Sequence, residues 1–463
     1  MQQFDLLVIG SGPGGYRAAV LATLRGLSVA IIEKADWGGC CLNRGCVPKK
    51  DWHHTAQLVA ASKNFSKRGI SGALSAELDG AWQHQKKVVE TVRDSYTGYM
   101  KRLGISAFNG AASFVDAHTV AVGETNLNAK HIIIATGSSP LVPGAYPLTP
   151  GRVLTTDDLF DHPPPAGKRV ALVGSGVIGT EFAFILSQLS RDILWIANGK
   201  PLANSAYSQP ALKILYEALA RHDIKVRTGC RAQCVEVLPD GVRLTLGDGS
   251  VETVDWVLLG TGRRPHTDNL AADAAGVALD AKGSVKVNAY LQTSAPHIYA
   301  IGDVANPRMT ANQALADAAV AIANILSPNS RKQDAGAVPE LVYSAVELGR
   351  IGMNEDDAED AELEPAVGFA AFETNPRALG QDDTDGFVRL IADMDSGALL
   401  GAEVVGAEAG EMLHVIAQQF GHADALARFA AMFYNHPART EEIQNATETL
   451  AAKWGLAQQV FGE

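Results

Sequence analysis

Two stretches of the chain repeat one pattern: an apolar run, a glycine-rich turn, and a second apolar run with helical spacing. They are LLVIGSGPGGYRAAVLATLRG at 6–26 and VALVGSGVIGTEFAFILSQLS at 170–190. The pattern predicts a strand, a tight turn and a helix in each stretch. One glycine fingerprint arises easily by chance in a glycine-rich chain, but two copies in this setting favour two dinucleotide-binding units.

The first turn has the residues that an ADP group needs. Its glycines permit a tight turn and the close approach of a pyrophosphate, which then lies at the N-terminus of the helix. An acidic residue follows at the end of the next apolar run, VAIIE, where a carboxylate can bind an adenosine ribose. We therefore predict that the ADP half of a cofactor is bound by Gly10, Gly12, Gly14, Gly15, Glu33 and Lys34.

The second turn, at Gly174, Gly176 and Gly179, is predicted to bind a nicotinamide nucleotide. Ala197 stands at the position equivalent to the ribose carboxylate of the first unit, so that carboxylate is missing here. A 2′-phosphate would need a nearby arginine, and only Lys200 offers positive charge in this region. The pattern therefore favours NAD, with NADP as the alternative.

The remaining segments complete an α/β fold. A helix is predicted over 82–103 and strands up to 131–137, and a group of prolines around Pro150 marks a connection. From about residue 338, short strands (FAAFE, GFVRLIA and LLGAEVVG) alternate with two helices, which is typical of an α+β domain. We predict two Rossmann-like dinucleotide-binding domains and a C-terminal α+β domain, with segments 1–150, 151–270, 271–337 (a continuation of the first domain) and 338–463.

Length and composition agree with several globular domains. The chain has 463 residues, of which 47% are hydrophobic and 19% charged, enough for more than one core. Its net charge is −12, from 51 acidic and 39 basic residues, so nucleic acid is a poor partner. The N-terminus has no signal-peptide pattern, and no apolar run approaches the roughly 20 residues of a membrane-spanning helix. We expect a soluble, cytoplasmic protein.

The five cysteines are too few, and odd in number, for a framework of structural disulfides. Cys230 and Cys234 are expected to be buried structural thiols. Cys41 and Cys46 lie five positions apart in the segment GGCCLNRGCVPKK at 38–50. On a regular helix such a pair diverges by roughly 140°, so a disulfide between them requires a distorted backbone. A strained disulfide is easily reduced, which indicates a redox function.

A metal site is the alternative for this cysteine pair. His53 and His54 lie close by in the sequence and could add ligands. Two cysteines with four residues between them are, however, a poor zinc signature. We expect no metal.

The segment at 38–50 resembles the redox-active site of the pyridine nucleotide-disulfide oxidoreductases, the family that includes dihydrolipoamide dehydrogenase and glutathione reductase. Further landmarks of that family follow in the same order: ATG at 135–137, GTGRRP at 260–265 and TSAPHIYAIGD at 293–303. The resemblance implies FAD and NAD as cofactors. It adds to the cofactor contacts the residues Gly39, Cys40, Thr136, Gly137, Gly262, Gly302 and Asp303.

The resemblance also implies a division of roles between the two thiols. Cys46 would be the thiolate beside the flavin and Cys41 the sulfur that exchanges with substrate, since one sulfur must contact the isoalloxazine and the other must face the substrate. Lys50 and Glu181 match a family ion pair near the flavin N5. Asp303 matches the carboxylate that accepts hydrogen bonds from the ribityl chain.

A further landmark lies near the C-terminus, where YNHPARTE at 434–441 resembles the family's acid–base segment. His436 would be the acid–base residue and Glu441 the carboxylate that orients it. Thiol exchange needs a base for the incoming thiol and an acid for the leaving thiolate, and imidazole titrates near neutrality. In this family the pair reaches the site from the other subunit, which implies a homodimer.

Within the family the sequence is closest to dihydrolipoamide dehydrogenase, as GSGPGGY at 10–16 and Cys-Leu-Asn at 41–43 indicate. The implied function is oxidation of dihydrolipoamide on a carrier protein with NAD, through the Cys41–Cys46 disulfide and FAD. Pro-Lys-Lys at 48–50 is instead similar to glutathione reductase, so NAD(P)H-dependent reduction of glutathione-type disulfides is the first alternative. A flavin-bearing redox sensor or complex subunit, whose thiols regulate binding, is the second.

Four positions depart from the family pattern. Cys40 stands where the family usually has threonine, which adds a third thiol beside the reactive pair. Tyr434 replaces a second histidine, Val346 a proline and Asn312 a histidine. These departures favour a specialised member of the family with an unusual partner.

Overall fold

The computed structural model describes residues 2–334 and 336–462, which form two compact units. The first unit contains the chain up to Thr55 together with Ala76–Gly174 and Cys230–Gln333. The second contains Ala56–Ser75, Ser175–Gly229 and the chain from Asp334 onward. No helix in the described ranges is long and apolar enough to cross a membrane.

The strands and α-helices of the described residues are numbered in chain order. The strands are β1 Gln2–Ile9, β2 Val29–Glu33, β3 Ser106–Asn109, β4 Ala112–Phe114, β5 Thr119–Val122, β6 Thr125–Ile134, β7 Ser138–Pro140, β8 Val153–Thr155, β9 Arg169–Val173, β10 Asp192–Ile196, β11 Val226–Arg227, β12 Ala232–Leu238, β13 Gly241–Leu246, β14 Val251–Val254, β15 Trp256–Leu259, β16 Arg263–Pro265, β17 Ile298–Ala300, β18 Glu340–Tyr343, β19 Glu347–Gly352, β20 Pro365–Ala371, β21 Phe387–Asp393 and β22 Leu399–Val405. The helices are α1 Pro13–Thr23, α2 Gly39–Arg44, α3 Cys46–Ser62, α4 Leu78–Arg102, α5 Thr156–Asp161, α6 Val177–Gln188, α7 Gln209–Arg221, α8 Ala311–Leu326, α9 Glu355–Asp360, α10 Pro376–Gln381, α11 Ala409–Ala417, α12 Ala425–Ala431, α13 Glu441–Trp454 and α14 Ala457–Phe461.

The main sheet of the first unit has the order β3-β2-β1-β6-β5-β4, with β17 also paired to β6. Strands β1, β2, β3, β6 and β17 pair in parallel. Leu7 of β1 and Ile132 of β6 pack into one core, whereas Leu6 and Val8 pack on the opposite face with α1 and α8. Because both faces are covered, β1 is apolar along its whole second half, and this confirms the predicted strand and helix of the first fingerprint.

Glycine is required where the two fingerprint turns begin. Gly10 has φ +102°, and a Cβ there would lie 2.4 Å from the carbonyl oxygen of Ala135 at the end of β6. Gly174 has φ +112°, and its Cβ would lie 2.3 Å from the carbonyl oxygen of Gly260. Both turns therefore depend on a close approach between two backbone segments that a side chain would prevent.

Three smaller sheets complete the first unit. Strands β8, β9 and β15 are parallel, and β12, β13 and β14 form an antiparallel sheet. The short strands β7 and β16 pair antiparallel, with Arg263 opposite Pro140. This last pairing joins the segment after ATG to the GTGRRP segment.

The C-terminal part of the second unit is an antiparallel sheet in the order β18-β19-β22-β21-β20. Helix α11 packs against β19, and α13 packs against β20 and β21. The predicted α+β fold is confirmed, but the prediction of two helices is wrong, because the described residues there form six, α9 to α14. Only α11 and α13 exceed seven residues, and the shorter helices make too few turns to show a hydrophobic period.

Exchanging Gly10 for alanine tests the close approach at the first turn. We expect Gly10→Ala to lose roughly 3 kcal/mol or more of unfolding free energy and to retain less FAD, because the backbone of β1 or β6 must shift. The matched control is Gly26→Ala, which also has positive φ but no neighbour within 4 Å of a Cβ, and it should lose only about 1–2 kcal/mol. The check is urea unfolding together with cofactor content, and equal losses in the two variants would contradict the interpretation.

Candidate active site

The predicted distortion between the two cysteines is confirmed. Helix α2 ends at Arg44, Gly45 leaves the helical region with φ −138° and ψ −110°, and α3 begins at Cys46. The break turns the side chains toward each other, so that the thiols of Cys41 and Cys46 share a hydrogen bond. All five cysteines of the chain are free thiols in this structure.

Cys41 lies near Tyr96, one of two stacked tyrosine rings. The hydrogen bond with Cys46 and burial together raise the pKa of Cys41 well above its ordinary value. Burial and the neighbouring Cys41 raise the pKa of Tyr96. Tyr96 comes from α4 and stacks on Tyr16 of α1, with ring centroids 4.2 Å apart. The sequence did not indicate this pair of stacked rings, because Tyr16 and Tyr96 come from helices that are far apart in the chain.

Helix α2 is anchored on two sides. Arg44 forms ion pairs with Asp36 at 2.6 Å and with Asp161 of α5 at 2.7 Å. The buried Asn43 donates to the carbonyl of Gly39 at 2.8 Å and accepts from Arg93 of α4 at 2.6 Å. These contacts fix the backbone on the N-terminal side of the Gly45 break.

Cys40 has different neighbours from Cys41. Its sulfur lies 3.4 Å from Nη2 of Arg263, which donates to it, and 3.9 Å from Oδ1 of Asp157. Burial raises the pKa of the Cys40 thiol to about 11, even though the guanidinium of Arg263 acts in the opposite direction. Cys40 is therefore a neutral thiol at physiological pH.

Arg263 belongs to a polar network around Asp303. Its Nε donates to Oγ of Ser138 at 2.7 Å, and Ser138 in turn donates to Oδ2 of Asp303 at 2.5 Å. Gly302, the residue before Asp303, donates its backbone N–H to the buried Asp317 at 3.0 Å, and burial raises the pKa of the Asp317 carboxyl. The network therefore holds Asp303 through its own side chain and through the backbone of the preceding residue. The segments were recognised in the sequence, but the contacts depend on the pairing of β7 with β16.

The first glycine turn fits an ADP group. A Cβ at Gly12 would meet no atom within 4 Å, whereas a Cβ at Gly39 would lie 2.7 Å from the Cα of Gly12, so the loop is a tight cradle that opens beside the first turn of α1. The carboxylate of Glu33 accepts from the N–H and the hydroxyl of Ser11 at 2.9 and 2.7 Å. Adjacent Lys34 contacts the ring of His266. These residues, with Asp303, fit FAD.

Three more of the predicted cofactor-site residues, Thr136, Gly137 and Gly262, lie next to the paired strands β7 and β16. The carbonyl of Gly137 accepts from His266, and the carbonyl of Gly262 accepts from Leu141, each at 2.9 Å. Thr136 donates its hydroxyl to the carbonyl of His266 at 2.6 Å. The two glycine segments thus lie together, as their resemblance to the family implies.

In the second unit, Gly176 precedes the largely buried helix α6, and a Cβ at Gly176 would meet nothing within 4 Å. Ala197 is buried and donates its N–H to the carbonyl of Arg227 at 3.0 Å. The ammonium of Lys200 lies over the ring of Tyr216, 5.6 Å from its centroid. A nucleotide ribose would thus meet no carboxylate from residue 197.

His436 and Glu441 form the predicted pair. Nδ1 of His436 lies 2.9 Å from Oε1 of Glu441, and the other carboxylate oxygen accepts from the N–H of Ala438 at 2.7 Å. These two bonds lower the pKa of Glu441, that of Ala438 being the larger influence. The imidazole side chain is 73% exposed, so Nε2 remains available. The pair belongs to the second unit, and the thiols belong to the first.

Lys50 lies in α3 and Glu181 in α6. Glu181 is buried, and its Oε1 accepts from the N–H of Tyr343 at 2.9 Å. The two residues belong to different units, and their pairing stays a prediction.

Two other cysteine predictions have separate outcomes. Cys230 is buried as expected, but the prediction is wrong for Cys234, which is exposed. Cys234 lies on β12, an edge strand whose register shifts between Ala232 and Cys234, and such an irregularity turns a side chain outward. Within 2–334 and 336–462, no group of three or more histidine, cysteine or acidic side chains could hold a metal ion.

Comparisons with known proteins agree with this geometry. Residues 4–323 match the family model described as pyridine nucleotide-disulphide oxidoreductase, and residues 338–447 match the dimerisation domain of the same family. A dihydrolipoyl dehydrogenase from Thermus scotoductus is 32% identical over 97% of this chain and 98% of its own length. One from Bacillus subtilis is 29% identical over 96% of each chain.

Solved structures show the same fold. LpdA from Mycobacterium tuberculosis has a TM-score of 0.90 at 22% identity, covering 97% of this chain and all of that chain. The HOCl-induced flavoprotein disulfide reductase RclA from Escherichia coli has a TM-score of 0.83 at 23% identity, covering 96% and 99%. The two family matches together span most of the sequence. The chain belongs to the pyridine nucleotide-disulphide oxidoreductases, FAD-dependent disulfide oxidoreductases that use NAD, and it ends in their dimerisation domain.

Proposed function

We propose that the chain is a dihydrolipoyl dehydrogenase, which oxidises dihydrolipoamide attached to a carrier protein and reduces NAD. The observation that carries the proposal is the hydrogen-bonded pair of Cys41 and Cys46 at the helix break, which can alternate between dithiol and disulfide. The full-length relatives from Thermus scotoductus and Bacillus subtilis bear the same activity in their names. We place the reaction in the cytoplasm, because five cysteines provide no framework of structural disulfides.

The two sulfurs have separate roles in this proposal. Cys41, which lies beside Tyr96, would exchange with the substrate, and Cys46 would be the sulfur that passes electrons to the flavin. The Gly10–Gly15 turn, Glu33 and Asp303 would hold FAD, which would supply two-electron transfer between the thiols and the nicotinamide. Lys50 and Glu181 are proposed to pair near the flavin.

His436 moves the protons of the exchange. Glu441 holds Nδ1, so Nε2 takes the proton of the first substrate thiol. The resulting thiolate attacks the sulfur of Cys41, the Cys41–Cys46 bond breaks, and Cys46 leaves as a thiolate. The second substrate thiol then attacks the mixed disulfide: His436 gives its proton to Cys41 as that sulfur leaves and takes the proton of the attacking thiol. Two substrate thiols become one disulfide, their two protons end on Cys41 and His436, and Cys46 remains a thiolate.

We propose that this histidine acts on the thiols of a second copy of the chain, in a homodimer. Two features support the arrangement: the match to a dimerisation domain, and the exposure of His436 and of the neighbouring Phe433. A second copy that covers this surface would remove the phenylalanine ring from water, which is favourable.

A glutathione-type disulfide reductase is the second candidate. Arg17 and Arg102 lie near Tyr16, whose ring stacks on Tyr96 beside the reactive thiol. Guanidinium groups suit the carboxylates of a glutathione-type substrate better than the neutral amide of lipoamide. Reduction of a glutathione-type disulfide is therefore the main alternative to oxidation of dihydrolipoamide.

We propose that Cys40 is a hydrogen-bonding group and not a third redox thiol. Its raised pKa keeps it neutral, and a neutral thiol is a poor nucleophile. It can accept from Arg263 and donate to Asp157, as a hydroxyl at the same position could. The thiol thereby occupies the position of the threonine that the family usually has.

Substrate preference tests the function directly. We expect the purified protein to oxidise dihydrolipoamide with NAD at least about tenfold more efficiently, by kcat/KM, than it reduces glutathione disulfide with NADPH, since one lost polar recognition contact costs this much or more. The reverse preference would replace the proposal with the second candidate. Bound FAD without steady-state turnover of either pair would indicate a redox sensor.

The division of roles predicts different spectra for two single variants. We expect Cys41→Ser to keep the long-wavelength absorbance that a thiolate in contact with the flavin ring produces, because Cys46 remains. Cys46→Ser should lack it. Anaerobic absorbance spectra of the two variants provide the check, and identical spectra would refute the assignment.

The protonation of Cys40 predicts a pH dependence of stability. A buried thiol with a raised pKa stabilises the folded state fully below its unfolded pKa of about 8.5, and this stabilisation is lost as pH rises toward 11. We expect the unfolding free energy of the wild type to fall by about 3 kcal/mol more than that of Cys40→Thr across this interval, since each pH unit between the two pKa values is worth about 1.4 kcal/mol. Cys234→Ser, an exposed thiol, is the control and should follow the wild type.

A further inference from the structure

A buried arginine lies three residues after His436. Arg439 is 2% exposed, although arginine is rarely buried unless it is paired. Its Nη2 donates to Oε1 of Gln381 at 3.2 Å and to the carbonyl of Asp383 at 2.8 Å, and it lies 3.4 Å from the Asp383 carboxylate. These acceptors belong to the last residue of α10 and to the segment that follows it.

The Arg439 guanidinium also contacts an aromatic ring, and part of it has no polar partner. Its guanidinium lies over the ring of Phe372 at 5.3 Å, and Nε and Nη1 have no hydrogen-bond partner among the described residues. A buried N–H without a partner costs free energy. Stability alone therefore does not explain an arginine at this position, since an apolar side chain would avoid that cost.

A second buried side chain holds the backbone beside the His436–Glu441 pair. Nδ2 of Asn375, a buried residue, donates to the carbonyl of Ala438 at 3.0 Å and to Oε1 of Glu442 at 2.9 Å. Asn375 is also the N-cap of α10, where its side chain accepts from Ala378. Asn375 thus holds the backbone beside the His436–Glu441 pair from the start of α10, and Arg439 holds it from the end of α10.

Arg439 is the buried member of a set of three arginines on one acidic loop, 382–385. Arg68 pairs with Asp382 at 2.9 Å, and Arg221 pairs with Asp385, but all four of these side chains are at least 38% exposed. Exposed pairs contribute little, because water and salt screen them. The pair with Asp383 differs from these two because the Arg439 side chain is 1% exposed, so water and salt screen this contact less.

We propose that Arg439 is a positioning residue for the acid–base step. By tying the backbone between His436 and Glu441 to the loop after α10, it keeps the imidazole at its 2.9 Å hydrogen bond and directs Nε2. The inference rests on the proposed role of His436 in thiol exchange. It predicts that loss of Arg439 affects the thiol reaction and spares the reaction at the flavin.

Two activities of the FAD-loaded protein separate these reactions. Oxidation of dihydrolipoamide by NAD needs His436, whereas reduction of ferricyanide by NADH takes electrons from the flavin without thiol exchange. We expect Arg439→Leu to lower kcat/KM for dihydrolipoamide by roughly ten- to a hundredfold, since small misplacements of a catalytic group have effects of this size. Ferricyanide reduction should change less than about twofold, and the kinetic pKa of the thiol reaction should shift because the Glu441 contact is loosened.

Companion variants complete the test. Arg439→Lys should recover part of the thiol reaction through the Asp383 carboxylate, and Asp383→Asn, which keeps the carbonyl acceptor, should give an intermediate loss. Both remain informative if Arg439→Leu does not fold. Arg68→Leu, on the same loop, is the control and should change both activities less than about twofold.

Two results would overturn the proposal: an unchanged thiol reaction in the folded Arg439 variants, or equal losses in both activities, which would mean a merely structural role. His436→Gln separates this failure from failure of the proposed function. If His436→Gln loses the thiol reaction and the Arg439 variants do not, only the positioning role fails. If His436→Gln keeps the thiol reaction, the proposed acid–base chemistry fails as well.

Discussion

The break in the helical backbone at Gly45 is the constraint on which the active site depends. An unbroken helix through 39–62 would point Cys41 and Cys46 in different directions. At Gly45 the chain leaves helical geometry for one residue, and the two thiols come within hydrogen-bond distance. The residues around the break are correspondingly well anchored, by the ion pairs of Arg44 and by Asn43.

This one break also organises the electrostatics of the site. Cys41 lies near Tyr96, whereas Cys40 contacts Arg263 and Asp157. Two thiols that are adjacent in the sequence therefore have different environments. Cys41 and Cys46 share a hydrogen bond. Burial raises the pKa of Cys40, and this is the basis of our proposal that Cys40 takes no part in the redox chemistry of its neighbours.

Much of the fold could be predicted because it depends on local signals. Glycine is needed at positions 10 and 174 because two backbone segments approach each other closely there. The spacing of Cys41 and Cys46 requires a distorted helix between them. The contacts of Arg263 were beyond such reasoning. They depend on the pairing of β7 with β16, which joins residues 125 positions apart, and neither strand exceeds three residues. The short C-terminal helices were missed for a similar reason, since each makes fewer than two full turns.

Our proposal makes Cys41 and Cys46 the pair that cycles between dithiol and disulfide. The decisive measurement is peptide mapping by mass spectrometry, after alkylation of the protein before and after anaerobic addition of one equivalent of NADH. We expect a Cys41–Cys46 disulfide before reduction, two newly alkylated thiols at these positions afterwards, and Cys40 outside any disulfide in both states. A disulfide that includes Cys40, or no change at Cys41 and Cys46 on reduction, would contradict the proposal.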